Sequence, residues 1–196
     1  MQRVTEENIN TLEQWNAHYK TPAGKTTTSW NCHSAVTVVS AVIPKNAHVL
    51  DCACGTAFGP KNVSMRRPDL LWSGCDFSAE VVARNKESGF PWKEMFWADL
   101  NNLSSTVPAA KYDTVMACEV LEHLEDPERV AHSVAELARK QVILTVPYLN
   151  RVPTKYHLWS IDEPDIRAWL EPYGRVATYI VRFGTKIIAV CDKGIK

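Results

Sequence analysis

The chain has 196 residues, 45% of them hydrophobic and 22% charged, a composition that excludes disordered, fibrous and disulfide-scaffold classes and suits one compact domain. A chain of this length buries on the order of 70% of its unfolded surface, so its core needs neither disulfides nor a structural metal. Lys plus Arg and Asp plus Glu both total 22, with no long run of either sign, so no global field favours nucleic acid or an anionic membrane.

The apolar stretches from Ala35 to Pro44 and from Gln141 to Pro147 are too short or too interrupted to cross a bilayer. The polar start from Met1 to Asn8 does not suit a signal peptide, and a cytoplasmic location is expected. Six cysteines occur, at 32, 52, 54, 75, 118 and 191, and most lie in or beside apolar runs, as small core residues of a reducing compartment do. Cys52 and Cys54 are spaced as metal ligands can be, but no second close pair or nearby His completes a tetrahedral zinc set.

No repeat, low-complexity tract or Gly/Ser linker divides the chain. Short apolar runs predict buried strands at His48 to Cys52, Leu70 to Cys75, Met95 to Ala98, Thr114 to Cys118 and Val142 to Val146. All but the third lead into a helix-like segment, and this alternation predicts a parallel sheet covered by helices on both faces. Ser78 is placed to cap one helix and Gly89 to end it in a left-handed residue. Asp126 and Pro127 open another, which carries Val130, Val134, Leu137 and Ala138 on one face. Asp162 caps a third, with Ile166, Trp169 and Leu170 inward and Gly174 at its end. The last part pairs Val176 to Arg182 with Lys186 to Cys191 around Phe183, Gly184 and Thr185, so the parallel sheet ends in an antiparallel hairpin.

The first strand runs as Val49-Leu50-Asp51-Cys52-Ala53-Cys54-Gly55-Thr56-Ala57-Phe58-Gly59 into a helix, and its small residues let a ligand approach the backbone. Asp76, at the end of the second strand, is placed to accept both hydroxyls of a ribose, and Asp99, after the third, to accept from an exocyclic amine.

With these stretches in order, and with Tyr-Asp-Thr-Val-Met-Ala-Cys-Glu-Val-Leu-Glu-His-Leu at 112 to 124, the chain resembles the class I S-adenosylmethionine-dependent methyltransferases from about Trp15 to Val190. The resemblance implies a Rossmann-like, doubly wound α/β fold whose mostly parallel seven-stranded sheet ends in the antiparallel hairpin, and one methyltransferase domain over residues 1–196. Within it, 1–30 is expected as a lid over the cofactor and 147–161 as a substrate loop. The cofactor implied is S-adenosyl-L-methionine. Asp51, Ala53 and Gly55 would line its methionine end, Asp76 and Phe77 the ribose side, and Asp99 with the Leu100 amide the adenine. The backbone at Cys118 and Glu119 would lie near the sulfonium, with Tyr19 contributed by the lid.

Ala53 and Ala57 depart from the glycines common in the family, and because alanine resists positive φ, the loop beyond Gly55 is expected to differ in shape. Read as one helix, the segment after the fourth apolar run puts Glu119, Glu122 and His123 on one face. A few relatives, among them ubiquinone-pathway O-methyltransferases and small-RNA 2′-O-methyltransferases, use such a segment with a later His, here matched by His157, to hold a divalent cation. Many others carry it without metal, and the reading adopted is metal-free, with His157 and His123 as candidate catalytic bases.

Substrate residues are sought in Trp15, His18, Tyr19 and Trp30, and in Tyr148, Arg151, Lys155, Tyr156, His157 and Trp159, whose aromatic and basic groups suit a ring or an anion. The expected partner is a small-molecule acceptor methylated on oxygen or nitrogen, with nucleic acid and membrane not expected and the oligomeric state open. The alternatives are a cofactor-binding, non-catalytic subunit and a S-adenosylmethionine-binding enzyme of other chemistry.

Overall fold

The computed structural model describes residues 1–21 and 33–194, so Cys32 and Trp30 lie outside the described residues. In chain order the elements are β1 (Gln2–Arg3), α1 (Leu12–Lys20), α2 (His33–Val42), β2 (His48–Cys52), α3 (Phe58–Ser64), β3 (Leu71–Asp76), α4 (Ala79–Glu87) and β4 (Trp92–Trp97). They continue with α5 (Leu103–Thr106), β5 (Tyr112–Cys118), α6 (Pro127–Leu137), β6 (Ala138–Pro147), β7 (Trp159–Ser160), α7 (Glu163–Leu170), β8 (Gly174–Val181) and β9 (Lys186–Lys193).

Seven strands form one sheet in the order β4-β3-β2-β5-β6-β9-β8. The pairs β3–β4, β2–β3, β2–β5 and β5–β6 are parallel, and β9 is antiparallel to both β6 and β8. This is the doubly wound sheet with a terminal hairpin that the apolar runs predict. The period of two along each central strand decides which layer a side chain enters. Leu50, Val115, Ala117, Val142 and Leu144 pack on the α6 and α7 side, while Val49, Met116 and Ile143 pack against α2 on the other. Both layers being dry, the strands read as continuous apolar runs.

The capping reading holds where side chains make it testable. The Ser78 hydroxyl accepts from the Val81 amide, Asp126 from that of Arg129, and Asp162 forms a reciprocal capping box with Asp165. Gly89 stands at φ +71 beyond α4. Gly174 does not end a helix. It opens β8, where a Cβ would lie 2.1 Å from the Asp192 carbonyl oxygen, so close approach of two backbones excludes any side chain.

Several boundaries differ from expectation. β4 starts at Trp92 rather than Met95, because it is an edge strand whose Lys93 and Glu94 break the apolar run. It is also followed by a helical segment, a 3₁₀ turn at Leu100–Asn102 leading into α5, which its low apolar content concealed. Ala138 belongs to β6, not to the preceding helix, since the chain passes from α6 directly into an extended residue there. The two-residue sheet pairing β1 with β7 carried no pattern in sequence.

Five cysteines, at 52, 54, 75, 118 and 191, are buried and unbridged, as small core residues should be. No helix among the described residues is long and apolar enough to cross a membrane.

Candidate active site

Parallel strands expose their last residues at one edge, and where the strand order reverses, here between β2 and β5, the crossovers diverge and leave a crevice. A cavity of about 530 Å³ occupies that position, within the usual size of a small-molecule site. Every residue singled out from the sequence as a cofactor or catalytic candidate lines it, from Asp51 and Asp76 at one end to His123 and His157 at the other.

The loop after β2 is the first wall. Ala53, Gly55 and Ala57 all stand in the left-handed region, at φ 57, +50 and 61. Ala57, like Ala53, takes the left-handed conformation that alanine resists, at a cost of about 1–2 kcal/mol for each alanine. The Ala57 amide is held by the Cys54 carbonyl at 2.9 Å, and Ala57 is fully buried, so the surrounding packing fixes the strained residue. A Cβ on Gly55 would sit 3.3 Å from the Tyr19 hydroxyl, so glycine there lets Tyr19 of α1 approach the loop closely.

Asp76 ends β3 only 2% exposed, accepting from the Gly55 amide at 3.0 Å and the Ser78 amide at 2.9 Å. Burial raises its carboxyl to about 6, although these amides and that of Phe77 pull the other way. Asp51, deeper in the same wall, is pushed well above the carboxylate range by burial and by the neighbouring Asp76. Asp99 turns its carboxylate onto the Asn101 amide at 2.9 Å and so caps the 3₁₀ turn that presents Leu100.

Helix α1 closes this end. Its Asn16 accepts from the Ser78 hydroxyl at 2.5 Å, the Tyr19 carbonyl accepts from Arg84 at 3.0 Å, and Lys20 pairs with Glu80 at 3.6 Å, so α1 is tied to α4 by polar contacts and buries no residue fully. Burial and Asp76 together hold the Tyr19 phenol well above its usual range, which keeps it a neutral donor. Trp15, His18 and Tyr19 all face the cavity.

At the other end the sequence reading needs correction. Residues 119 to 123 are not one helix: Glu119 sits at φ 53, and only Leu121–His123 form a 3₁₀ turn. The left-handed residue rotates Glu119 away from the other two. Its amide donates to the Thr145 carbonyl at 2.8 Å, its carboxylate accepts from the Thr145 hydroxyl at 2.9 Å, and Lys186 Nζ pairs with it at 2.6 Å. Glu122 instead joins His123 and His157, and one ligand atom from each of the three lies within 4.8 Å of the others.

The two imidazoles are held alike. Tyr156 O lies 2.9 Å from His123 Nδ1 and Asn150 Oδ1 lies 2.7 Å from His157 Nδ1, an arrangement in which Nδ1–H donates and each Nε2 keeps its lone pair. Their ring centroids are 5.2 Å apart. Burial lowers His123 to about 4 and lowers His157 as well, so both rings are neutral near pH 7. Glu122 is 1% exposed, its Oε2 has no partner among the described residues, and burial together with Glu119 raises its carboxyl well above the usual range.

Of the candidates in residues 147–161, Tyr156 and His157 reach the cavity, but Tyr148, Arg151, Lys155 and Trp159 do not line it. Trp159 is structural, its indole donating to the Leu124 carbonyl at 2.8 Å. Sequence reasoning missed Lys186, which opens β9 in a strand that reads as apolar yet is 2% exposed beside the cavity. Its one available signal was a charged residue at the start of a buried strand.

A family model described as a methyltransferase domain matches residues 50–144. Over 111 residues the chain is 32% identical to a ubiquinone biosynthesis O-methyltransferase of Pseudoalteromonas translucida (strain TAC 125), a match covering 55% of this chain and 45% of that protein. The chain thus spans about half the length of the curated relative it matches.

Among solved structures, the complex of the Haloferax volcanii Trm112 methyltransferase activator with a methyltransferase superposes at a TM-score of 0.74 with 11% identity, covering 98% of this chain and 100% of that one. Magnesium protoporphyrin IX methyltransferase from Synechocystis PCC 6803, with bound S-adenosylhomocysteine, gives 0.64 and 19%, covering 95% and 96%. At these identities the structures establish the fold. Residues 50–144 thus match a methyltransferase domain, and the described chain has the fold of these methyltransferases, one of them solved with S-adenosylhomocysteine bound.

Proposed function

We propose that this chain transfers the methyl group of S-adenosylmethionine to an oxygen or nitrogen of a small-molecule acceptor. The observation that carries the reading is one cavity with Asp51, Gly55, Asp76 and Asp99 at one end and the neutral His123–His157 pair at the other. The resident groups fit the cofactor: the left-handed loop after β2 leaves its backbone open, and the Asp76 carboxylate suits a ribose diol. Asp99 and the Leu100 amide would hold the adenine, Phe77 would pack beside it, and Ala53, Cys118 and Glu119 would line the methionine end. The cofactor supplies an already electrophilic methyl group.

The protein's remaining task is placement of the acceptor and, where the acceptor must lose a proton, a base. The free Nε2 lone pairs of His157 and His123 supply that base, and α1 with Tyr19 keeps water from the cofactor end. Methylation of an oxygen is supported by the O-methyltransferase relative, although the match covers less than half of that protein.

A second reading rests on one further observation. The carbonyl groups that hold both Nδ1 atoms are the usual outer partners of metal-bound histidines, and the unpartnered Glu122 oxygen faces the same cluster. A divalent cation held by Glu122, His123 and His157 would bind and acidify an acceptor hydroxyl. A third reading, a cofactor-binding subunit of another enzyme, draws support from the neighbour solved with its activator. Incubation with a methyl-labelled donor and a metabolite extract tests the first reading: label in a small molecule supports it, and bound cofactor without any labelled product contradicts it.

A further inference from the structure

The acceptor end of the cavity opens between two segments, residues 147–157 and the hairpin turn between β8 and β9. Val152, Thr154, Arg182 and Thr185 contribute to its wall. The segments are joined by backbone, Tyr148 N to Thr185 O at 2.9 Å, and by Arg151 Nη1 donating to Gly184 O at 2.8 Å. They therefore form one rim.

Its composition is unlike that of the chain as a whole. Although the chain is neutral overall, residues 147–157 and 180–187 contain Arg151, Lys155, Arg182 and Lys186 and no Asp or Glu. Lys186 is buried against Glu119, but the other three are exposed and make no ion pair among the described residues. Arg151 lies over the Tyr148 ring at 5.1 Å and Lys155 over the Tyr156 ring at 5.2 Å.

The same two segments carry exposed apolar side chains, Leu149, Val152 and Ile180, with Phe183 fully exposed at the hairpin tip. Arg182 and Phe183 are both left-handed, at φ 53 and 55, an unusual state for a bulky aromatic that sets it at the apex of the turn. A soluble surface rarely gathers apolar side chains in this way unless something covers them.

Building on the acceptor reading above, we propose that this rim is a peripheral membrane-docking surface, seating the mouth of the cavity on an anionic bilayer so that a lipophilic acceptor enters from the lipid side. The charge complementarity fixes the occupant: apolar tips that enter the acyl boundary, with cations and tyrosines at the headgroup level, match an anionic lipid surface.

The test is co-sedimentation of the full chain with vesicles of phosphatidylcholine alone or mixed with phosphatidylglycerol. Binding is expected to the mixed vesicles, to weaken with added salt, to fall about fivefold in Lys155→Gln and about tenfold or more in Phe183→Asn, whose new residue tolerates the left-handed turn. Absence of binding to the anionic vesicles, or binding that neither substitution reduces, overturns the proposal. So does a lipid-free dimer that Phe183→Asn dissociates, which would assign the rim to a second copy. Calorimetric titration of S-adenosylhomocysteine into the same preparations keeps the two readings separate, since neither substituted residue lines the cofactor end. Cofactor binding without vesicle binding refutes the surface alone, and the reverse refutes the functional reading alone.

Discussion

Asp76 gives the most closely worked prediction. Its carboxyl is 2% exposed and raised by burial from 3.8 to about 6. A displacement of roughly two pH units corresponds to about 3 kcal/mol between the two protonation states. The folded chain prefers the protonated form, so this contribution to stability is complete below the unfolded value near 3.8 and is lost as pH rises through about 6.

A ribose diol donates to the ionised form, so cofactor binding must expel a proton between about pH 4 and 6. The affinity for S-adenosylhomocysteine should rise with pH by up to about tenfold per unit and level off above about pH 6. Calorimetry in buffers of different ionisation enthalpy counts the protons: close to one released per ligand at about pH 5, and none above about pH 7. The Asp51→Asn background removes the neighbouring buried carboxyl from the count. In Asp76→Asn the release should vanish and the affinity should drop by about 1–3 kcal/mol, the usual loss for a charge-assisted pair. Proton release that persists in Asp76→Asn would refute the assignment of the ribose to this carboxylate.

The Lys186–Glu119 pair is buried, so Lys186→Met leaves a carboxylate stranded and should cost about 3–5 kcal/mol by chemical denaturation, with Glu119→Gln added to it recovering much of the loss. Ala57→Gly relieves a left-handed alanine and should stabilise the chain by about 1 kcal/mol or less, where a glycine in ordinary backbone would destabilise it. His157→Ala should lower turnover more than cofactor affinity, and because burial lowers His157 and takes His123 to about 4, the rate should fall only on the acid side of the ordinary histidine range. Activity should survive chelation; loss on chelation with recovery on adding manganese would make Glu122, His123 and His157 metal ligands instead.

The central sheet was readable because its strands are buried on both faces and hence apolar throughout, and the helix starts because Ser78, Asp126 and Asp162 advertise their caps. The gathering of Asp51, Asp76 and Asp99 along one cavity was legible too, since each lies at or just beyond the C-terminal end of its strand. What escaped depends on tertiary contacts. Nothing local shows that Glu119 turns to Thr145 and Lys186 rather than joining Glu122, because both partners are distant in sequence. Lys186 reads as a surface residue opening a strand until Glu119 is seen beside it, and Gly174 as a helix stop until the Asp192 carbonyl is seen against it. The edge strand β4 was misplaced at its start because its polar residues face solvent rather than a second layer.

The central claim is methyl transfer from this cavity, and the most direct measurement is the fate of a labelled donor methyl group. Incubation of the chain with methyl-labelled S-adenosylmethionine, kept below its dissociation constant, and a fractionated metabolite extract should place label in a small molecule, with equal formation of S-adenosylhomocysteine and a fall of both by about fivefold to a hundredfold in Asp76→Ala. Label that never leaves the donor while the cofactor binds normally would contradict it, as would label transfer that Asp76→Ala does not change.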